Sequence, residues 1–131
     1  MSQADARADE EPTIYAIRFY ERASRDIDAV VVYLADNLSE SFARDWFRGI
    51  NKAIRSLSEL PERYALAPEP HFAEPTRNLT WSRPKSRVSH RILYRVRNDS
   101  NDGAVVMILH IRGATMAPIT PEEVREIEAQ Q

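Results

Sequence analysis

The chain has 131 residues and no cysteine, which suits a single domain and excludes disulfide bonds and thiol chemistry. Its formal net charge is −2, and no apolar run approaches the roughly 18 residues that a membrane-spanning helix needs. The first residues lack the basic-then-apolar pattern of a signal peptide, so we expect a cytoplasmic protein without a membrane partner.

The N-terminal residues are small, polar and acidic, which predicts a flexible tail over residues 1–12. Apolar side chains then alternate at Tyr15, Ile17 and Phe19, and this alternation predicts a first strand over residues 13–20. We take the main domain to extend from this strand to residue 117.

Two amphipathic segments follow the first strand. The first begins between residues 21 and 24 and ends at Asn37, with apolar side chains at helical spacing. Ser39 can cap a second helix over residues 40–60, which Pro61 ends because proline cannot continue the hydrogen-bond ladder. Since one or two residues join them, the helices should form an antiparallel hairpin. Its predicted buried residues are Ala23, Ile27, Val30, Val31, Leu34, Ala43, Trp46, Phe47, Ile50, Ala53, Ile54 and Leu57.

The second half of the chain is typical of three strands and a short helix. A proline-containing loop precedes the strands, and Thr120 before Pro121 predicts the N-cap of a short acidic helix within residues 118–131. The predicted strands are residues 77–82, 89–96 and 104–111, separated by turns at residues 83–87 and 98–103. The fold class is therefore α+β, with an antiparallel sheet packed against an N-terminal two-helix hairpin in the order β-α-α-β-β-β and a short C-terminal helix.

Positive charge is concentrated in residues 77–97, which contain no Asp or Glu. In the third predicted strand Arg91 and Arg95 point to one face, and Ile92 and Tyr94 to the other. A sheet that buries one face on helices and shows arginines on the other is suited to bind an anion. The alternative is that these are solvated surface charges. The predicted binding residues are Arg77, Arg83, Lys85, Arg87, Arg91, Arg95 and Arg112.

The histidines carry weaker predictions. His110 alternates onto the same face of the fourth strand as Val106, Ile108 and Arg112, and histidine can exchange a proton near neutral pH. We nevertheless favour a sheet residue covered by a loop. His90 shares a face with apolar residues and should point to the core. No His, Asp or Glu cluster has metal-ligand spacing, so we expect neither a metal nor a cofactor. The opposite face of the fourth strand should hold Val105, Met107, Leu109 and Ile111.

Several short segments, in their order and spacing, carry a resemblance to a known family. They are Ala23-x-x-Asp26-Ile27, Tyr33-Leu34, Ala43 with Phe47, Ile50, Ile54, Leu57 and Pro61, Arg77-x-Leu79, His90-Arg91-Ile92-Leu93-Tyr94-Arg95-Val96, and Val106-Met107-Ile108-Leu109-His110-Ile111-Arg112-Gly113. On these residues the chain resembles the RelE/ParE superfamily, small toxins of bacterial type II toxin–antitoxin pairs that are often labelled plasmid stabilisation proteins. The resemblance implies a helical hairpin on an antiparallel sheet and a cognate antitoxin whose acidic, amphipathic tail wraps the toxin. We expect Arg77, Arg91 and Arg112 to form the groove for that tail.

RelE-like members of this superfamily cleave messenger RNA on the ribosome. For this branch the resemblance implies that Arg91 and Arg112 face phosphate, with His110 as a candidate for proton transfer. The chain departs from the RelE pattern, because no tyrosine follows Arg112 within residues 113–118. Of the lysines expected near the second strand, only Lys85 is present.

ParE-like members bind DNA gyrase and are understood to catalyse no reaction themselves. The long hairpin and the missing tyrosine favour this branch, so we expect a non-catalytic gyrase-binding toxin rather than an RNA-cleaving enzyme. A third alternative is an inactive relative that only binds an acidic peptide, which the absence of growth arrest on expression would identify. If the chain is a toxin of either branch, Arg91 and Arg112 should be exposed. Alanine at either position should then lower toxicity and leave stability nearly unchanged.

Overall fold

The computed structural model describes residues 12–99, 101 and 103–129, so the predicted tail lies almost wholly outside the described residues. The element order agrees with the sequence prediction. The elements are β1 (Ala16–Phe19), α1 (Glu21–Asn37), α2 (Glu40–Arg55), β2 (Arg77–Ser82), β3 (Ser89–Asp99), β4 (Gly103–Gly113) and α3 (Pro121–Ala129). The α+β class is therefore confirmed. Among the described residues, no helix is long and apolar enough to cross a membrane.

The ends of the helices follow from local hydrogen bonding. Ser39 caps α2, because its side-chain oxygen accepts a hydrogen bond from the Phe42 N–H at 3.0 Å. Thr120 and Glu123 form a capping box at the start of α3, since each side chain accepts a hydrogen bond from the other's backbone N–H. The prediction that α2 continues to residue 60 was wrong. The helix ends at Arg55 and is followed by a 3-10 turn. Leu60 then has a φ of 46°, a left-handed conformation that a right-handed helix does not contain.

Within the described residues, the strands form one sheet in the order β1-β4-β3-β2. β2, β3 and β4 pair antiparallel as predicted, but β1 pairs parallel to β4, so the sheet is mixed. Alternation along a strand shows which side chains share a face, but it does not give the direction of a neighbour some ninety residues away in the chain.

The α1–α2 hairpin packs on one face of the sheet as predicted. Most of its stripe and the apolar side chains of three strands form a buried core, against which Val30, Val31, Leu34 and Ala53 pack partly buried. Phe47 lies outward at 43% exposure, so its predicted burial was wrong. Tyr94 anchors the chain after α2, since its hydroxyl donates a hydrogen bond to the Pro61 carbonyl at 2.6 Å, and burial raises the pKa of Tyr94 to about 12. The core comprises Ala23, Ile27, Trp46, Ile50, Ile54, Leu57, Leu79, Ile92, Tyr94, Val106, Ile108 and Ile111.

A second apolar cluster covers the other face of the sheet, where the sequence predicted arginines. There α3 and the segment before it pack on residues of β3 and β4. The cluster comprises Tyr20, Leu93, Leu109, Ile119, Val124 and Ile127. The sheet is therefore the middle of three layers, and its arginine-bearing face is covered by the C-terminal part of the chain.

A β-bulge in β4 overturns one predicted face. Leu93 pairs with His110 and Tyr94 pairs with Ile108, so Leu109 has no partner in the ladder. The extra residue shifts the alternation. Ile111 consequently packs in the hairpin core, while Leu109 lies in the cluster under α3, so the prediction that both share a face was wrong.

Candidate functional site

Arg91 is held by a buried carboxylate of the same chain. Its guanidinium donates two hydrogen bonds of 2.8 Å to the two oxygens of Glu69, and its Nε donates to Asn78 Oδ1 at 2.7 Å. The Glu69 side chain is 5% exposed and also accepts a hydrogen bond from the Ile119 N–H. The hydrogen bonds from Arg91 lower the pKa of Glu69 to about 2, although burial acts in the opposite direction.

Arg95 is also enclosed, at 5% side-chain exposure. Its guanidinium contacts Glu128 of α3, bonds Glu74 Oε2 at 3.3 Å, and donates from Nε to Thr76 Oγ1 at 3.1 Å. Arg97 donates to the same Glu74 oxygen at 3.2 Å. The loop between α2 and β2 is thus tied to the sheet and to α3 through arginine.

Arg112 completes this set at the other end of α3. Its guanidinium bonds Glu123 Oε2 at 3.2 Å and the Ala117 carbonyl at 2.9 Å, and its side chain is 5% exposed. The pKa of Glu123 is lowered, first by the backbone hydrogen bond from Thr120 and further by Arg112. We call the region of these pairs the covered face, comprising Arg91, Arg95 and Arg112 with Glu69, Glu74, Glu123 and Glu128.

The covered face corrects the prediction of an open basic groove. Arg112 is buried and Arg91 is largely enclosed, with side chains 5% and 12% exposed, and acidic side chains distant in the chain neutralise both. Arg77 is also bonded within the chain, since its guanidinium donates hydrogen bonds to the backbone carbonyl oxygens of Tyr64 and Glu62 at 2.7 and 3.2 Å. That these arginines bind a target or antitoxin remains a prediction, but they do not form an open groove.

His110 lies buried beside α1. Its Nδ1 is 2.7 Å from Asp26 Oδ2, and the same oxygen accepts the Ile111 N–H at 3.0 Å. The pairing of β1 with β4 ends at Ile108, so the backbone N–H of Ile111 has no partner in β1. The Asp26 carboxylate accepts this hydrogen bond in place of a strand. Arg22 approaches His110 Nδ1 at 3.4 Å. His110 therefore joins α1 to the sheet. It is a sheet residue as predicted, but its partners lie on a helix and not on a loop.

An open apolar groove lies between the tip of the hairpin and the β2–β3 turn. Its volume is about 450 Å³, and Trp46 and His90 form its floor with ring centroids 5.2 Å apart. His90 points to the hairpin as predicted, burial lowers its pKa, and its Nδ1 finds no hydrogen-bond partner in the described part of the chain. We call this feature the hairpin groove, lined by Ala29, Val30, Tyr33, Leu34, Asn37, Leu38, Phe42, Trp46, Arg83, Ser86, Val88 and His90.

Cations stand along the rim of the hairpin groove. Arg83 lines it, with its guanidinium 4.0 Å from the centre of the Phe42 ring, and Lys85 and Arg87 are exposed in the same turn. One predicted binding residue, Arg83, thus lines an open site, where it also approaches Asp45 at 4.0 Å, and Lys85 and Arg87 are exposed in the adjoining turn, unlike the residues of the covered face. The groove itself was not predicted from the sequence, although the exposed apolar residues Leu38 and Val88, which lie between predicted elements, could have indicated it.

The helical hairpin on a four-stranded sheet is the architecture that the RelE/ParE resemblance implies. A family model for the ParE toxin of type II toxin-antitoxin systems, parDE, matches residues 17–118, and the chain therefore belongs to this family. Among solved structures, a chain described as the chromosomal ParDE TA system from P. aeruginosa has a similar fold, with a TM-score of 0.56 and 18% sequence identity. The likeness covers 76% of this chain and 95% of that chain. No curated protein sequence matches. The predicted family, and its ParE-like branch, are confirmed.

Proposed function

We propose that this member of the ParE toxin family inhibits growth by binding DNA gyrase, and that a cognate antitoxin neutralises it in the cytoplasm. Family membership supports the toxin role. The hairpin groove carries the proposal for the antitoxin, because it combines an apolar floor with a cationic rim. An amphipathic, acidic segment presents the matching surfaces, apolar side chains toward the floor and carboxylates toward Arg83, Lys85 and Arg87.

The target is tested by two assays on the purified protein, gyrase supercoiling and cleavage of ribosome-bound messenger RNA. We expect loss of supercoiling with intact RNA. RNA cleavage with active gyrase would refute the proposal and favour the RelE-like alternative. No effect in either assay, together with normal growth on expression, would identify an inactive relative.

The antitoxin site is tested by placing a charge in the hairpin groove. Leu38→Glu should abolish or strongly weaken rescue of growth by the co-expressed antitoxin, because a carboxylate would face an acidic segment on an apolar surface. Leu66→Glu is the matched control, since Leu38 and Leu66 are 61% and 54% exposed and Leu66 lies outside the groove. Equal rescue of both variants would show that the antitoxin binds elsewhere.

A further inference from the structure

The outer side of α2 carries a row of cations to which neither the proposed gyrase binding nor the proposed antitoxin binding assigns a role. Arg44, Arg48 and Lys52 recur every four residues and Arg55 follows three later, so the helical period places them on one side. All four are exposed. We call this row the cationic stripe.

The cationic stripe lacks the compensation found at the covered face. Arg48 approaches Asp45 at 3.9 Å, and both side chains are more than half exposed. For the remaining three cations, the described residues supply no ion pair. Lys52 and Arg55 lie in the last turn of α2, where they favour the helix dipole, but Arg44 and Arg48 lie too early for that explanation.

The surface between Arg48, Lys52 and Arg55 is shallow, and no carboxylate of the described residues lines it. A depression of about 300 Å³ is lined by Phe47, Arg48, Asn51, Lys52 and Arg55. Phe47 is its one large apolar side chain, at 43% exposure. An acidic protein partner would need an apolar centre to bury. A neighbouring depression of about 660 Å³ offers apolar side chains beside Arg44 and Arg48, but Asp28 and Glu40 also line it and would repel acidic side chains.

The dimensions of the cationic stripe suit a phosphate backbone. From Arg44 to Arg55 the helix rises roughly 16 Å, a length of duplex axis along which the two DNA strands together present about nine phosphates, at one per roughly 1.7 Å. Four cations over that length can each neutralise a phosphate. The acidic helix α3 packs on the opposite face of the sheet from the hairpin, and α1 beside the stripe carries four acidic residues against two arginines. Within the hairpin, the excess of positive charge is therefore confined to α2, where four cations stand against Glu40 and Asp45.

We propose that the cationic stripe binds the phosphate backbone of duplex DNA, without reading base sequence. Binding of DNA by the stripe is independent of the target proposed above. Only the consequence, that the toxin contacts the DNA held by gyrase as well as the enzyme, rests on the proposed function.

The test is fluorescence anisotropy of a labelled duplex of about 20 base pairs with the full chain, titrated at several salt concentrations. Since each neutralised phosphate contributes roughly −0.9 to the slope of log affinity against log salt, four contacts should weaken binding roughly 150-fold between about 50 and 200 mM salt. Arg44→Gln with Lys52→Gln should reduce that loss to roughly 12-fold, because two contacts remain.

Arg25→Gln with Arg125→Gln is the matched control. It removes the same charge from exposed positions outside the stripe, and it should keep the wild-type salt slope. If circular dichroism shows that Arg44→Gln with Lys52→Gln reduces helicity, the double variant Arg48→Gln with Arg55→Gln tests the same prediction.

Three results would overturn the proposal: no DNA binding at about 50 mM salt, equal salt slopes for the stripe and control variants, or binding of poly-glutamate in place of DNA. The last would assign the stripe to an acidic protein. Gyrase supercoiling measured on the same variants separates the two proposals. DNA binding without gyrase inhibition refutes the proposed target alone, and gyrase inhibition without DNA binding refutes the stripe alone.

Discussion

The covered face and the cationic stripe contain similar side chains in opposite surroundings. At the covered face, Arg95 and Arg112 are each 5% exposed and bonded to carboxylates of the same chain. On the stripe, Arg48 is 77% exposed and its nearest carboxylate lies at 3.9 Å. The buried arginines join α3 and the loop before β2 to the sheet, whereas the exposed cations hold no other element in place. A cluster of arginines in a sequence can therefore be part of the structure or a free surface, and burial distinguishes them.

The largest difference between the two regions should appear at Arg91. Arg91→Ala should lower the free energy of unfolding by about 3–5 kcal/mol, because it leaves the Glu69 carboxylate buried without its cation. Urea denaturation measures this change. The double variant Arg91→Met with Glu69→Gln is the control and should recover much of the loss. An unchanged unfolding midpoint for Arg91→Ala would restore the earlier expectation that Arg91 is a free binding residue.

The same pair should give the protein an acid-sensitive stability. The pKa of Glu69 is about 2 in the folded chain and 4.5 ordinarily, so ionised Glu69 stabilises the fold. This contribution is complete above about pH 4.5 and is lost as the pH falls toward 2. Glu69→Gln should lower the free energy of unfolding at neutral pH. Between about pH 5 and pH 3, the variant should lose less of that free energy than the wild type does. Parallel wild-type and variant curves would show that Glu69 titrates normally.

Arg112 should have a smaller effect than Arg91. Its partner Glu123 is 35% exposed and can regain water when the guanidinium is removed. Arg112→Ala should therefore cost about 1.5–3 kcal/mol, the range for hydrogen bonds to charged groups, measured by thermal or urea unfolding. A cost as large as that of Arg91→Ala would mean that α3 detaches when this one contact is removed.

The smallest effect is expected on the cationic stripe. Lys52→Gln should change the free energy of unfolding by no more than about 0.5 kcal/mol, because the side chain is exposed and makes no ion pair in the described chain. The same urea titration serves as the measurement. A loss above about 1 kcal/mol would make Lys52 a structural residue and remove the contrast between the regions.

The elements of the fold were predictable because their signals are local. Ser39 and Thr120 marked the starts of helices through their capping side chains, and the alternation along β3 correctly assigned Ile92 and Tyr94 to the core. The bulge at Leu109 was not predictable in this way, because it depends on the register against β3 and not on the composition of β4.

The candidate site was only partly predictable. The sequence identified cations at Arg83, Lys85 and Arg87, and the structure places them beside the hairpin groove. It did not identify the groove, because the floor and the rim come from segments that meet only in the folded chain. Leu38 and Val88 lie fifty residues apart in the sequence and line the same cavity.

By itself, the sequence determined the order of helices and strands, the apolar face of the hairpin and the location of positive charge. Only the tertiary structure decided which of those charges are free. Glu69 precedes Arg91 by 22 residues and Glu128 follows Arg95 by 33. A period of 2 or 3.6 residues carries no information across such separations, and packing of the loop and α3 on the sheet brings each pair together. The same packing buries Arg95 and Arg112, encloses all but 12% of the Arg91 side chain, and leaves the cations of α2 exposed to solvent.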